Sequence, residues 1–89
     1  MGAMGMQNIN SWLSLVSDSN VLSVLFYLEK YNPDVTINDL ERDLNLDKKK
    51  VTEILSNLTR EHVIEVSDKH FVELTENGRI SVERLMAIV

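Results

Sequence analysis

At 89 residues, with 44% hydrophobic and 26% charged side chains, the chain has material for one modest core, too little length for two domains and too much apolar content for disorder. Cysteine is absent, which excludes disulfides and thiolate metal sites, leaves packing to supply stability and fits a reducing, cytoplasmic setting. The formal charge of −5 works against a nucleic-acid partner unless the basic groups are concentrated, because phosphate contacts supply much of that affinity.

The opening Met1-Gly2-Ala3-Met4-Gly5 has the character of a cloning scar and is set aside, leaving residues 6–89 as a single domain. No apolar run reaches the roughly 18 residues of a spanning helix, and the start lacks the pattern of a signal peptide, so no membrane partner is expected. Ser11 to Val16 is apolar at helical spacing and reads as a short leading helix, interrupted by Ser17-Asp18-Ser19-Asn20. From Val21 to Tyr31 the residues Val21, Leu22, Val24, Leu25, Phe26 and Leu28 nearly surround the helix, which marks it as the buried central one. Asn32-Pro33-Asp34 ends it.

Thr36 is the expected N-cap of the next helix, with Ile37, Leu40 and Leu44 on one side, and Asn45 breaks it. Leu46 is expected to tuck under the turn. Asp47 then caps a helix that points Val51, Ile54, Leu55 and Leu58 inward and ends near Glu61-His62. Beyond it the period shortens to two, with Ile64 and Val66 flanking Glu65 and Val72 and Leu74 flanking Glu73, which predicts a hairpin around Ser67-Asp68-Lys69-His70. Thr75 is the expected cap of a last helix whose inward stripe is Val82, Leu85, Met86 and Val89.

Charge is unevenly spread along this order. Residues 1–46 carry two basic against six acidic side chains, residues 61–89 three against six, but residues 47–60 carry four against two. The one cationic segment thus coincides with the helix that follows the tight turn.

Helix, helix, tight turn, helix, hairpin, helix is the order of a winged helix-turn-helix, an α+β, mostly α fold with a three-helix core, a two-stranded wing and a C-terminal helix. The run from Ile37 to Leu58, followed by Val63-Ile64 and by Leu74-Thr75-Glu76-Asn77-Gly78-Arg79, resembles small prokaryotic, bacterial and archaeal, MarR-like and ArsR-like transcription regulators over about 70 residues. The resemblance implies double-stranded DNA as partner, with helix 47–61 in the major groove and wing 63–74 on the flanking backbone. The residues it assigns are Lys48, Lys49, Lys50, Thr52, Ser56 and Arg60 on the helix and Lys69 in the wing, with His70 beside it. Lysines reach phosphates as point charges, whereas Thr52 and Ser56 can hydrogen-bond base edges or backbone.

Two positions depart from the pattern. Glu53 stands where relatives commonly carry a polar or basic base-reading residue, and a carboxylate there repels phosphate and suits only cytosine. His62 stands where relatives usually have glycine, in a place that favours the left-handed conformation.

The resemblance also implies a homodimer, formed through Trp12, Leu13, Val16, Leu85 and Ile88 at the two ends of the chain, presenting its reading helices about one DNA turn apart. A Lys-Lys-Lys run is equally the pattern of a solvated helix face. The alternative reading is therefore a protein-interaction module of a larger transcription, replication or membrane-remodelling assembly, supported by the acidic body and placing a partner helix beside Trp12 or the last helix. Effector sensing is a third reading, for which the sequence supplies no pocket. The only histidines, His62 and His70, lie in exposed segments and the sole glycine beyond the scar is Gly78, so no enzyme, metal or cofactor is expected.

Overall fold

The computed structural model describes residues 11–68 and 70–88; residues 1–10, Lys69 and Val89 lie outside them. Residues 11–16 are helical (α1). Asp18 then accepts from the Asn20 N–H at 2.8 Å and caps α2 (Ser19–Tyr31), which starts two residues earlier than its apolar pattern predicts. Val21, Val24, Leu25 and Leu28 of α2 are buried. The helix closes at Asn32, whose ψ of 146° is the extended conformation that a following proline imposes.

Thr36 and Asp39 form a reciprocal capping box at the start of α3 (Ile37–Asp43), with the Asp39 N–H donating to Thr36 Oγ1 at 3.2 Å and the Thr36 N–H donating to Asp39 Oδ2 at 3.0 Å. Val35 before this cap and Leu40 four positions after it are both buried in the core, the arrangement of a hydrophobic staple. Asn45 takes a left-handed φ of 54°, and the Leu46 N–H reaches back to the Glu41 carbonyl at 3.1 Å, so Leu46 is folded under the turn, half-buried against the core.

Asp47 accepts from the Lys50 N–H at 2.7 Å and caps α4 (Lys48–Arg60). At the other end His62 sits at φ 61°, its N–H bonded to the Thr59 carbonyl at 3.0 Å while the Val63 N–H reaches the Leu58 carbonyl at 3.1 Å. These two bonds complete a Schellman closure at a position that usually requires glycine.

Strands β1 (Ile64–Val66) and β2 (Val72–Leu74) pair antiparallel with Ile64 opposite Leu74, Glu65 opposite Glu73 and Val66 opposite Val72. The segment before α3 joins the other side of β2 through a bridge between Thr36 and Phe71, with the Val72 N–H on the Val35 carbonyl at 2.8 Å and the Ile37 N–H on the His70 carbonyl at 3.2 Å. This pairing lies 35 residues apart in sequence and has no local periodicity to announce it. It ties the tip of the wing to the start of the helix-turn-helix.

Helix α5 (Glu76–Ile88) begins at Thr75, whose Oγ1 accepts from the Gly78 N–H at 2.9 Å and donates to the His62 carbonyl at 2.7 Å. Gly78 is buried against the chain leaving α4: a β-carbon there would lie 1.9 Å from the Val63 carbonyl oxygen. Val82 is buried and Leu85 half-buried, but Met86 is 53% exposed, so the inward stripe expected from its spacing stops short. Helix α5 rests on α2 and β2, and the strip of its face that they cover includes Val82 and Leu85 but not Met86. Among the described residues no helix is long and apolar enough to cross a membrane.

Candidate nucleic-acid interface

Four buried residues, Val51, Ile54, Leu55 and Leu58, hold one side of α4 against the core. At about 100° per residue, the line directly opposite passes through Lys49, Glu53, Ser56 and Arg60. All four are exposed. Lys48 and Thr52 occupy the flank toward the wing, where they border a depression shared with Thr36, Ile37, Asn38, Glu41 and His70. Lys50 and Asn57 occupy the opposite flank; Lys50 reaches Asp18, and Asn57 borders a cleft with Ser11, Ser14 and Leu15 of α1.

The three consecutive lysines are therefore not equivalent. Lys50 Nζ lies 3.3 Å from Asp18 Oδ2 and 3.9 Å from Glu53 Oε1, and its side chain is only 32% exposed. The Asp18 carboxyl is held below its usual range first by the Asn20 N–H and then by this ammonium. Lys48, Lys49 and Arg60 have no carboxylate at ion-pairing distance among the described residues. Of the three lysines assigned to the contact, Lys50 alone is drawn aside, by a helix cap 32 residues upstream. Arg60 is exposed but lies at the far end of α4, beside Trp12, Glu61, His62 and Asn77.

The neighbouring helix adds no free cation. Arg42 donates to Asp39 at 2.8 Å and to Asp43 at 2.9 Å, and the Tyr27 hydroxyl donates to the other oxygen of Asp43. Both Asp43 partners favour the charged carboxylate, with Arg42 the larger, and lower its pKa. The Tyr27 phenol is pushed up to about 12, chiefly by its hydrogen bond to Asp43. Asp39 is lowered too, first by the Thr36 N–H of its capping box. Nothing in the sequence pattern marks the Tyr27–Asp43 contact, which joins α2 to the end of α3.

On the wing, the register sets Glu65 directly across from Glu73, both exposed, and Asp34 borders the same cleft. The outer face of the hairpin is anionic. Lys69, assigned to the phosphate contact there, lies outside the described residues. His70 is exposed at φ 66°, in a loop closed by its own N–H on the Ser67 carbonyl at 3.0 Å.

The residues assigned to a dimer contact divide in two. Trp12, Val16 and Leu85 are half-buried against the core, whereas Leu13 is 57% and Ile88 82% exposed.

No protein-family model and no curated protein sequence matches the chain. Among solved structures it is similar to a MepR mutant from a multidrug-resistant S. aureus clinical isolate, with a TM-score of 0.72 and 22% sequence identity over 98% of this chain and 68% of that one. That likeness establishes the winged-helix fold, in which α3, the tight turn and α4 form the helix-turn-helix and β1–β2 the wing.

Proposed function

We propose that the chain is the DNA-binding domain of a cytoplasmic transcription regulator of the MarR-like type. It inserts α4 in the major groove of double-stranded DNA and rests the wing beside the flanking backbone. The observation that carries this reading is the exposed side of α4, on which Lys48 and Lys49 stand in the first turn without carboxylate partners among the described residues, on a body that is otherwise acidic. The fold likeness to MepR supports the same reading.

Lys48, on the flank toward the wing, and Lys49, at the N-terminal end of the outward line, act as phosphate contacts, while Thr52 and Ser56 offer hydroxyls to base edges or backbone. Arg60 reaches phosphate at the far end of the helix. Lys50 contributes little, being held by Asp18. Lys69 completes the contact from the wing. Two copies pair through the exposed ends of α1 and α5, where Leu13 and Ile88 present apolar surface, with Trp12, Val16 and Leu85 behind them.

The test is binding to mixed-sequence duplex DNA at about 50 mM and 200 mM salt. The wild type is expected to bind at the lower salt and to weaken steeply at the higher. Lys48→Ala and Lys49→Ala each flatten the log–log salt slope by about 1, while Lys50→Ala leaves it nearly unchanged. Absence of binding at the lower salt overturns the reading. Equal slopes in all four proteins remove Lys48 and Lys49 from the interface. Sedimentation at about 100 μM checks the pairing, and a monomer there removes it.

A further inference from the structure

The central line of the outward α4 face carries one anion. Glu53 lies between Lys49 and Ser56 on that line, and its side chain is 61% exposed. Its nearest cation, Lys50, stands 3.9 Å from one oxygen and is engaged at shorter range by Asp18, at 3.3 Å. Both Glu53 oxygens are therefore open to an outside donor.

The following inference rests on the DNA-binding reading above. A helix lying in the major groove turns its flanks and its two ends toward the phosphate backbones and the middle of its outward line toward the base edges. On a flank, a carboxylate meets phosphate and is repelled. On the outward line it meets bases, and an ionised carboxylate accepts hydrogen bonds only. Guanine presents O6 and N7 acceptors to the groove and thymine an O4 acceptor, so both are rejected. Adenine places its N7 acceptor beside its N6 amino group. Cytosine offers the N4 amino donor.

We propose that Glu53 is a specificity-determining residue that selects cytosine at one fixed position of each DNA half-site. It works chiefly by rejection: guanine and thymine leave the carboxylate desolvated and faced by acceptors at the centre of the interface, and adenine sets its N7 acceptor beside the one amino donor it offers. The same group lowers affinity for DNA in general.

The experiment is selection from a randomised duplex pool at about 50 mM salt by the wild type, Glu53→Gln and Glu53→Ala. Glu53 is exposed, so neither substitution disturbs the core. The wild-type pool is expected to hold cytosine at one position per half-site, and replacing that base weakens binding about tenfold or more. Glu53→Gln shifts the preference to adenine, whose N6 and N7 match an amide. Glu53→Ala binds all four bases there to within about twofold, and binds scrambled duplex more tightly than the wild type does, because a repulsive charge is gone. An unchanged base preference in both variants, or a wild-type pool without any selected cytosine, overturns the proposal. Failure of all three proteins to retain duplex overturns the DNA-binding reading, and this inference with it.

Discussion

Replacing Gly78 by alanine sets two opposed effects against each other at one atom. Gly78 is within α5, and in a helix interior alanine is favoured over glycine by about 1 kcal/mol. The β-carbon added here, however, would fall 1.9 Å from the Val63 carbonyl oxygen, 2.9 Å from its carbon and 3.0 Å from Val63 Cγ1. The first of these is backbone, held by the Thr75 N–H at 3.0 Å and by the Schellman closure of α4, so no side-chain rotation relieves it. The first turn of α5 must move outward by on the order of 1 Å, an overpacking that costs about 1–3 kcal/mol. That movement strains the Thr75 bonds to the His62 and Val63 carbonyls, each contributing about 0.5–1.5 kcal/mol. After subtracting the helix-propensity gain, the expected net loss is about 2–3 kcal/mol, a large share of the roughly 5–10 kcal/mol available to a domain of this size. Urea unfolding followed by far-ultraviolet circular dichroism reads it directly, with a fall in melting temperature of about 10–20 °C as a second measure. Asn77→Ala, one residue earlier and exposed, serves as control and should stay within about 0.5 kcal/mol of wild type. A Gly78→Ala protein as stable as the wild type, or more stable, refutes the close approach between α5 and the chain leaving α4.

His62 provides a prediction of opposite sign. Its φ of 61° costs an L-residue about 1–2 kcal/mol, and its side chain is exposed. Allowing for the extra freedom glycine has in the unfolded chain, His62→Gly should raise stability by about 0.5–1 kcal/mol, measured by the same urea titration. A loss of stability would mean that the imidazole makes contacts outweighing the strain. Tyr27 gives a pH signature: its pKa rises to about 12, first through the hydrogen bond to Asp43. A raised folded-state value means that this bond stabilises the fold fully below the ordinary tyrosine pKa of about 10 and is lost as pH climbs toward the folded-state value. Absorbance titration should show Tyr27 ionising late, and Asp43→Asn should bring it back toward the ordinary value. Tyr27 ionising at the ordinary value in the wild type would exclude the bond. The Asp43 carboxyl is displaced the other way, so its share of stability is present above about pH 4 and disappears as pH falls through its lowered value.

The elements of this protein are written locally. Asp47 caps α4, Thr36 with Asp39 boxes α3, Asn45 and His62 turn left-handed where helices stop, and the alternation in 64–66 and 72–74 yields two strands. Each depends on hydrogen bonds or side-chain spacing within a few residues, so the amino-acid order alone suffices to read them. The stripe expected on α5 failed at Met86 because spacing tells which residues share a face, not how wide a strip of that face the neighbouring elements cover.

The assignment of charges to partners was of a different kind. Three adjacent lysines look alike in a row of letters, but a helical turn sends them in different directions, and only Lys50 meets the Asp18 cap from a distant part of the chain. Likewise, no local rule pairs Glu65 with Glu73, binds Tyr27 to Asp43, or adds residue 36 to the edge of the wing. Order along the chain determined which helices, strands and caps form, because those are short-range choices. Which cations remain free to meet a partner was decided by packing, because an ion pair depends on distance in space and not on separation in sequence.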